Sequence, residues 1–77
     1  MDSITPLQLT PVLSSTLEAV GYDEKMEIMD VKFRKGGRVE RFFNVGHLVF
    51  RGLMGAKSMG QYFSKNIARH YQHRTIG

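Results

Sequence analysis

The sequence predicts an α+β domain: a three-stranded antiparallel sheet followed by two C-terminal helices packed on it. Three observations carry this. Met29, Val31 and Phe33 alternate with Asp30, Lys32 and Arg34, the period of two that marks a half-buried strand. Gly36-Gly37 follows at once, a hairpin signal because glycine accepts positive φ at no steric cost. Beyond Ser58, the residues Met59, Phe63, Ile67 and Tyr71 recur every fourth position, the apolar stripe of an amphipathic helix.

Each element follows in order. Residues 1–13 read as an extended arm with room for a short strand. Pro6 and Pro11 fix their own φ and bias the preceding threonines to extended backbone, while Leu7, Leu9, Val12 and Leu13 remain able to pack. The domain proper is expected over residues 14–74. Its first strand covers Ser14 to Tyr22 and ends in a polar turn at Gly21-Tyr22-Asp23. The second strand is the alternating run from Met29, and the third returns over Arg38 to Phe43. A two-residue loop at Gly36-Gly37 sets Phe33 opposite Glu40 and Val31 opposite Phe42. Phe42 then shares the apolar face, and Lys32, Arg34, Arg41 and Phe43 share the other; a slip of one residue reverses the third strand.

The first helix is expected over Gly46 to Gly55, with Val49, Phe50, Leu53 and Met54 at helical spacing and Gly55 as its stop. The second opens at Ser58-Met59-Gly60-Gln61, which fits a capping box, and runs through Tyr71. On it Lys65, Arg69 and His73 form a basic row at every fourth position. Residues 75–77 read as a frayed end. The expected core is Leu17, Val31, Phe33, Phe42, Phe50, Leu53, Phe63, Ile67 and Tyr71, with the strands in sequential order.

Composition bounds the function. A chain of 77 residues holds one domain with a thin stability margin. It has no cysteine, which excludes a disulfide framework, a thiolate metal site and a cysteine nucleophile. No apolar run is long enough to span a bilayer, and Met1 to Pro6 lacks the basic and apolar regions of a signal peptide, so a soluble cytoplasmic protein, monomer or weak homodimer, is expected. The net charge of +4 is unevenly placed. Up to Val31 there are six acidic residues and one basic; from Lys32 onward there are ten basic and one acidic. A basic second part of this kind points to a polyanionic partner.

Several stretches together resemble the KTSC domain, a short domain found at the C-terminus of some lysyl-tRNA synthetases and as stand-alone small proteins of bacteria and phages. Ser14-Ser15 with Leu17 and Gly21-Tyr22-Asp23 is similar to the family's opening strand and turn. Met29-Asp30-Val31-Lys32-Phe33 and Gly36-Gly37 resemble its second strand and hairpin. Val45, Val49-Phe50, Leu53, Ala56, Ser58, Gly60, Tyr62-Phe63, Ile67 and Tyr71 resemble its helical signature. The likeness covers about Ser14 to Tyr71. Two positions depart from it: Glu40-Arg41-Phe42 stands where the family has Tyr-x-Tyr, and Gly46 stands where a proline usually opens the first helix. The resemblance implies this fold and, through the synthetase context, RNA as a partner.

The chemistry of the residues is that of a binding module and not of an enzyme. Asp23, Glu24, Glu27 and Asp30 cluster near a turn and an exposed strand face, where solvation is their ordinary fate. The serines have no nucleophile-elbow context. His47, His70 and His73 without cysteine make a poor ligand set, so no metal or other cofactor is expected. Phosphate contact needs Lys and Arg on one surface, with aromatic rings or guanidinium planes for bases. The candidate surface for RNA or single-stranded nucleic acid is Lys32, Arg34, Arg38, Arg41 and Phe43, extended by Lys65 and Arg69, with Lys35 at the turn. The alternative is a protein-interaction module that docks on a host or cellular enzyme through Met26 and Ile28 in the first hairpin turn.

Overall fold

The computed structural model describes residues 5–77; the first four residues of the expected arm lie outside the described residues. Seven elements follow one another: β1 (Thr10–Pro11), β2 (Leu17–Asp23), β3 (Ile28–Phe33), β4 (Val39–Phe42), α1 (His47–Met54), α2 (Met59–Asn66) and β5 (His73–Thr75). The α+β architecture with two helices after the central strands is as expected. The sheet, however, has five strands in the order β1-β2-β3-β4-β5, all neighbours antiparallel, and not three.

The two added strands come from the chain ends. Thr10 and Pro11 pair with Val20 and Ala19, so part of the arm is an edge strand, ended by a proline that cannot donate to a further neighbour. At the other edge, α2 stops at Asn66 and does not run to Tyr71. The amides of Ile67 and Ala68 both bond the Phe63 carbonyl, and the chain turns back to lay β5 on β4. The four-residue repeat is shared by the helix only up to Ile67. After it, the backbone groups on the open side of β4 offer the last residues partners that a longer helix would leave unpaired. The basic row of Lys65, Arg69 and His73 therefore does not exist as one helical face. Residues 75–77 are hydrogen bonded too: Ile76 N donates to the Val39 carbonyl at 2.9 Å, and Val39 N donates to that of Gly77 at 3.1 Å.

The β3–β4 register also differs from the expected one. Val31 faces Glu40 and Met29 faces Phe42, two residues from the pairing a two-residue loop gives. The turn is Arg34 to Gly37, with Phe33 N bonded to the Arg38 carbonyl, and Gly36 and Gly37 take φ of +85° and +69°. Arg34 N instead bonds the Thr16 carbonyl in the loop just before β2, which draws Arg34 out of the β4 ladder. A shift of two preserves the alternation, so Phe42 stays on the face of Val31 and Phe33, and Arg41 stays on the opposite one.

The first face carries the core. Phe63 of α2 meets Phe33 and Phe42 edge-on at 5.5 and 5.4 Å, and Phe50 of α1 stacks on Tyr22 at 4.4 Å. Leu17, Val31, Phe42, Leu53, Phe63 and Ile67 are buried as expected, whereas Phe33, Phe50 and Tyr71 are only partly covered. Val20, Met29, Val45 and Met59 complete the cluster. The Tyr22 hydroxyl donates to the Val45 carbonyl at 2.6 Å, tying the entry of α1 to the sheet. Burial, and after it the nearby Glu27, Glu24 and Asp23, hold that phenol in its neutral, donating form by raising its pKa.

The opposite face holds a buried carboxylate. Asp30, fully shielded from solvent, accepts from Arg41 Nε at 2.8 Å and Nη2 at 2.9 Å and from Leu7 N at 2.8 Å. Arg41 also donates to the Thr5 carbonyl at 3.3 Å. The chain from Thr5 to Leu9 thus crosses this face over Gly21. A Cβ at Gly21 would lie 2.7 Å from the Gln8 carbonyl oxygen, so only glycine fits beneath the strap.

Two variants test this packing. Phe63→Ala is expected to cost about 3–5 kcal/mol, enough to unfold a domain of this size, as read by urea titration; an unshifted midpoint would show that the ring is not a core anchor. Arg41→Ala leaves Asp30 buried without its partner and is expected to cost about 3–5 kcal/mol. Hydrogen exchange should then show the Leu7 amide losing protection first, and a fully protected Leu7 amide in that variant would contradict the role given to the pair.

Candidate nucleic-acid interface

Successive hairpins put the β2–β3 turn at one end of the sheet and the β3–β4 turn at the other. The charges divide accordingly. Asp23, Glu24 and Glu27 lie at the first end, where Asp23 Oδ1 accepts from the amides of Lys25 and Met26 at 3.0 and 3.1 Å and fixes the turn. Met26 is held outward there and is 64% exposed, while Ile28 is half-buried at the start of β3.

At the other end two grooves adjoin at Ser15 and Thr16. The larger, about 580 Å³, is lined by Ser15, Thr16, Phe33, Lys35, Gly36 and Arg38. The smaller, about 420 Å³, is lined by Ser15, Thr16, Ser58, Gly60, Gln61, Ser64 and Lys65. The local sequence makes this arrangement. Ser14 Oγ accepts from the amides of Thr16 and Leu17 and turns the chain into β2. Ser58 Oγ accepts from Gln61 N at 3.2 Å and starts α2, whose Gly60 lets the helix close on Thr16. The lining contains three cations and several hydroxyls and no carboxylate.

The cations singled out in the sequence separate into two groups. Arg41 is committed to Asp30 beneath the strap, and that hydrogen-bonded carboxylate is the main cause of its raised pKa. Arg34 donates to the carbonyls of Ser14 and Val12 at 2.7 and 3.2 Å and staples the loop before β2. Lys32 pairs with Glu18 at 3.5 Å on the strap face. Phe43 is half-buried in the bend just beyond the end of β4 and lines neither groove. These residues do not form one surface with the grooves. Arg38 and Lys65 do line them, and Lys35 joins them. Arg69 is exposed in the turn after α2 and lines neither groove. Arg38 sits over the Phe33 ring, 4.7 Å from its centroid, with Nε 2.7 Å from Glu40 Oε2.

The groove residues Ser15, Thr16, Ser64 and Gln61 were not evident as site residues in the sequence. The one local signal is the run Ser14-Ser15-Thr16, three hydroxyls without a helix behind them to cap. Among the described residues no three His, Cys, Asp or Glu side chains come together as a metal set, and no helix is long and apolar enough to cross a membrane.

Comparison with known proteins agrees with this architecture. The crystal structure of a KTSC domain protein from Yersinia pestis superposes with a TM-score of 0.86 at 30% identity, covering 91% of this chain and 97% of that one. A protein of Tsukamurella paurometabola is 37% identical over 54 residues, which is 70% of this chain and 79% of that protein. The family profile of the KTSC domain matches residues 13–71, from the loop before β2 to the turn before β5. The chain belongs to the KTSC domain family.

Proposed function

We propose that this domain is a non-catalytic binding module for single-stranded nucleic acid, RNA foremost, that acts in the cytoplasm and binds through the paired grooves at the β3–β4 end. The observation that carries the proposal is the lining itself: Lys35, Arg38 and Lys65 converge on Ser15 and Thr16 with no carboxylate among them. Lysine ammonium groups meet phosphates, and hydroxyls donate to phosphate and sugar oxygens. Both helices have eight residues and bury a face against the sheet, so neither stands clear to enter a major groove. A single strand, which can bend its backbone to the grooves, suits the surface better than a duplex.

A second reading has its own observation. Met26 and, at the start of α1, Leu48 are 64% and 72% exposed, and Met26 lies beside Glu24 and Glu27. An acidic turn with exposed apolar side chains suits a protein partner with a basic surface. That reading predicts capture of a partner that survives nuclease and is lost in Met26→Ser.

The nucleic-acid reading is tested by titrating a short single-stranded RNA across a salt series. The logarithm of the binding constant should fall linearly with that of the salt concentration, by about 0.7 per phosphate contacted. Replacing Lys35 and Lys65 together by Gln should flatten that slope by up to about 1.4, one step for each lysine lost. Lys25→Gln, at the acidic end, should leave it unchanged. Absence of binding, or a slope indifferent to the groove lysines, would refute the proposal.

A further inference from the structure

We infer that Arg38, seated on Phe33, is a stacking platform for an unpaired nucleobase, so that the larger groove recognises a base while Lys35 and Lys65 hold the flanking phosphates. The inference rests on the nucleic-acid reading above and assigns the ligand chemistry within that site.

The argument begins with charge. Arg38 Nε lies 2.7 Å from a Glu40 carboxylate that is itself only 15% exposed. A cation already met by a carboxylate offers a phosphate little net attraction, whereas Lys35 and Lys65 form no ion pair among the described residues. What Arg38 retains is its plane. The guanidinium carbon sits over the Phe33 ring at 4.7 Å, and the side chain is still 51% exposed. The ring beneath and the carboxylate at one edge therefore hold the group while its outer side stays open.

Phe33 itself is a poor direct platform. One face lies under Arg38, and the ring meets Phe63 edge-on at 5.5 Å in the core. A base entering the groove meets the guanidinium first, and bases stack on arginine planes as they do on aromatic rings. The order base, guanidinium, ring continues a contact the free protein already makes, so little side-chain ordering remains to be done on binding. Both Phe33 and Arg38 line the larger groove beside Lys35, which puts the phosphate contact next to the platform.

The experiment uses two short RNAs with equal numbers of phosphates. One carries 2-aminopurine as its single central base, and the other is abasic at that position. The wild-type protein should quench the 2-aminopurine and bind its RNA about tenfold more tightly than the abasic one, the gain of roughly one stacked base. Arg38→Lys keeps the charge and loses the plane. It should bind both RNAs with the affinity of the abasic one, keep the salt slope and lose the quench. Glu40→Gln releases the charge and keeps the plane, so it should retain the quench and steepen the salt dependence.

Equal wild-type affinity for the two RNAs, with a normal salt slope, would overturn the platform and leave the phosphate grooves standing. Undiminished quenching in a folded Arg38→Lys protein would overturn it likewise. Failure of both RNAs to bind would remove the platform together with the nucleic-acid reading.

Discussion

The structure depends on a carboxylate that has no water. Asp30 lies in the middle of β3, wholly buried, and accepts three hydrogen bonds, two from Arg41 on the neighbouring strand and one from the Leu7 amide. A buried charge is tolerated only when it is paired and hydrogen bonded on every side. Here that requirement fixes three segments at once. It sets β4 beside β3 with Arg41 opposite Asp30, it brings the chain from Thr5 to Leu9 across the sheet, and it demands a glycine at position 21 beneath that crossing. A leucine at position 30 would keep the hydrophobic sense of the strap face and lose the specific partner for the Leu7 amide. The ion pair is thus better understood as a device that selects register and covers the second face than as a large source of stability.

The same pair changes what the positive charge means. Arg41 and Arg34 look alike in the sequence, as cations alternating with apolar residues on neighbouring strands. Arg41 neutralises the one buried acid among the described residues, and Arg34 closes the loop before β2 by donating to carbonyls of Ser14 and Val12. With Lys32 on Glu18 and Arg38 on Glu40, four of the cations nearest the second hairpin serve the fold. Lys35 and Lys65 remain at the grooves. They come from a turn and from the last helical turn of α2, places where a lysine has no strand neighbour to answer it.

Much of the fold was legible in the sequence, and the gaps have physical causes. The alternation from Met29 and the repeat from Met59 identify β3 and α2 because each turns one apolar face to the core, and that writes a period into the residues. Ser58 shows as a cap for the same local reason. β1 and β5 leave no such trace. Pro11, His73, Arg74 and Thr75 are exposed, and their strands exist because the edges of β2 and β4 present backbone groups to be paired. That is tertiary information. The hairpin register escaped for a related reason: two glycines suit a two-residue loop as well as the end of a four-residue one, and the decision lies with Arg34 N, which bonds across to the Thr16 carbonyl in the loop before β2. Asp30 reads as an exposed strand residue because the strap that buries it is remote in sequence. The candidate site was legible in its Lys35, Arg38 and Lys65 but not in its hydroxyls, since Ser15 and Thr16 gain their setting only when α2 packs against the loop before β2.

The acidic turn does not shield the grooves, and distance decides this. β3 joins the two ends of the sheet, and its six residues span about 20 Å at a strand rise near 3.3 Å. At physiological ionic strength the screening length is about 8 Å. The field of Asp23, Glu24 and Glu27 therefore fades before it reaches Lys35, and each end of the molecule meets its surroundings with its own charge. Only near 0.01 M salt, where screening stretches to about 30 Å, do the two ends feel one another. The net figure of +4 describes neither end. One end is an acidic loop with an exposed methionine, and the other is a cationic cleft from which carboxylates other than the Glu40 that holds Arg38 are kept away.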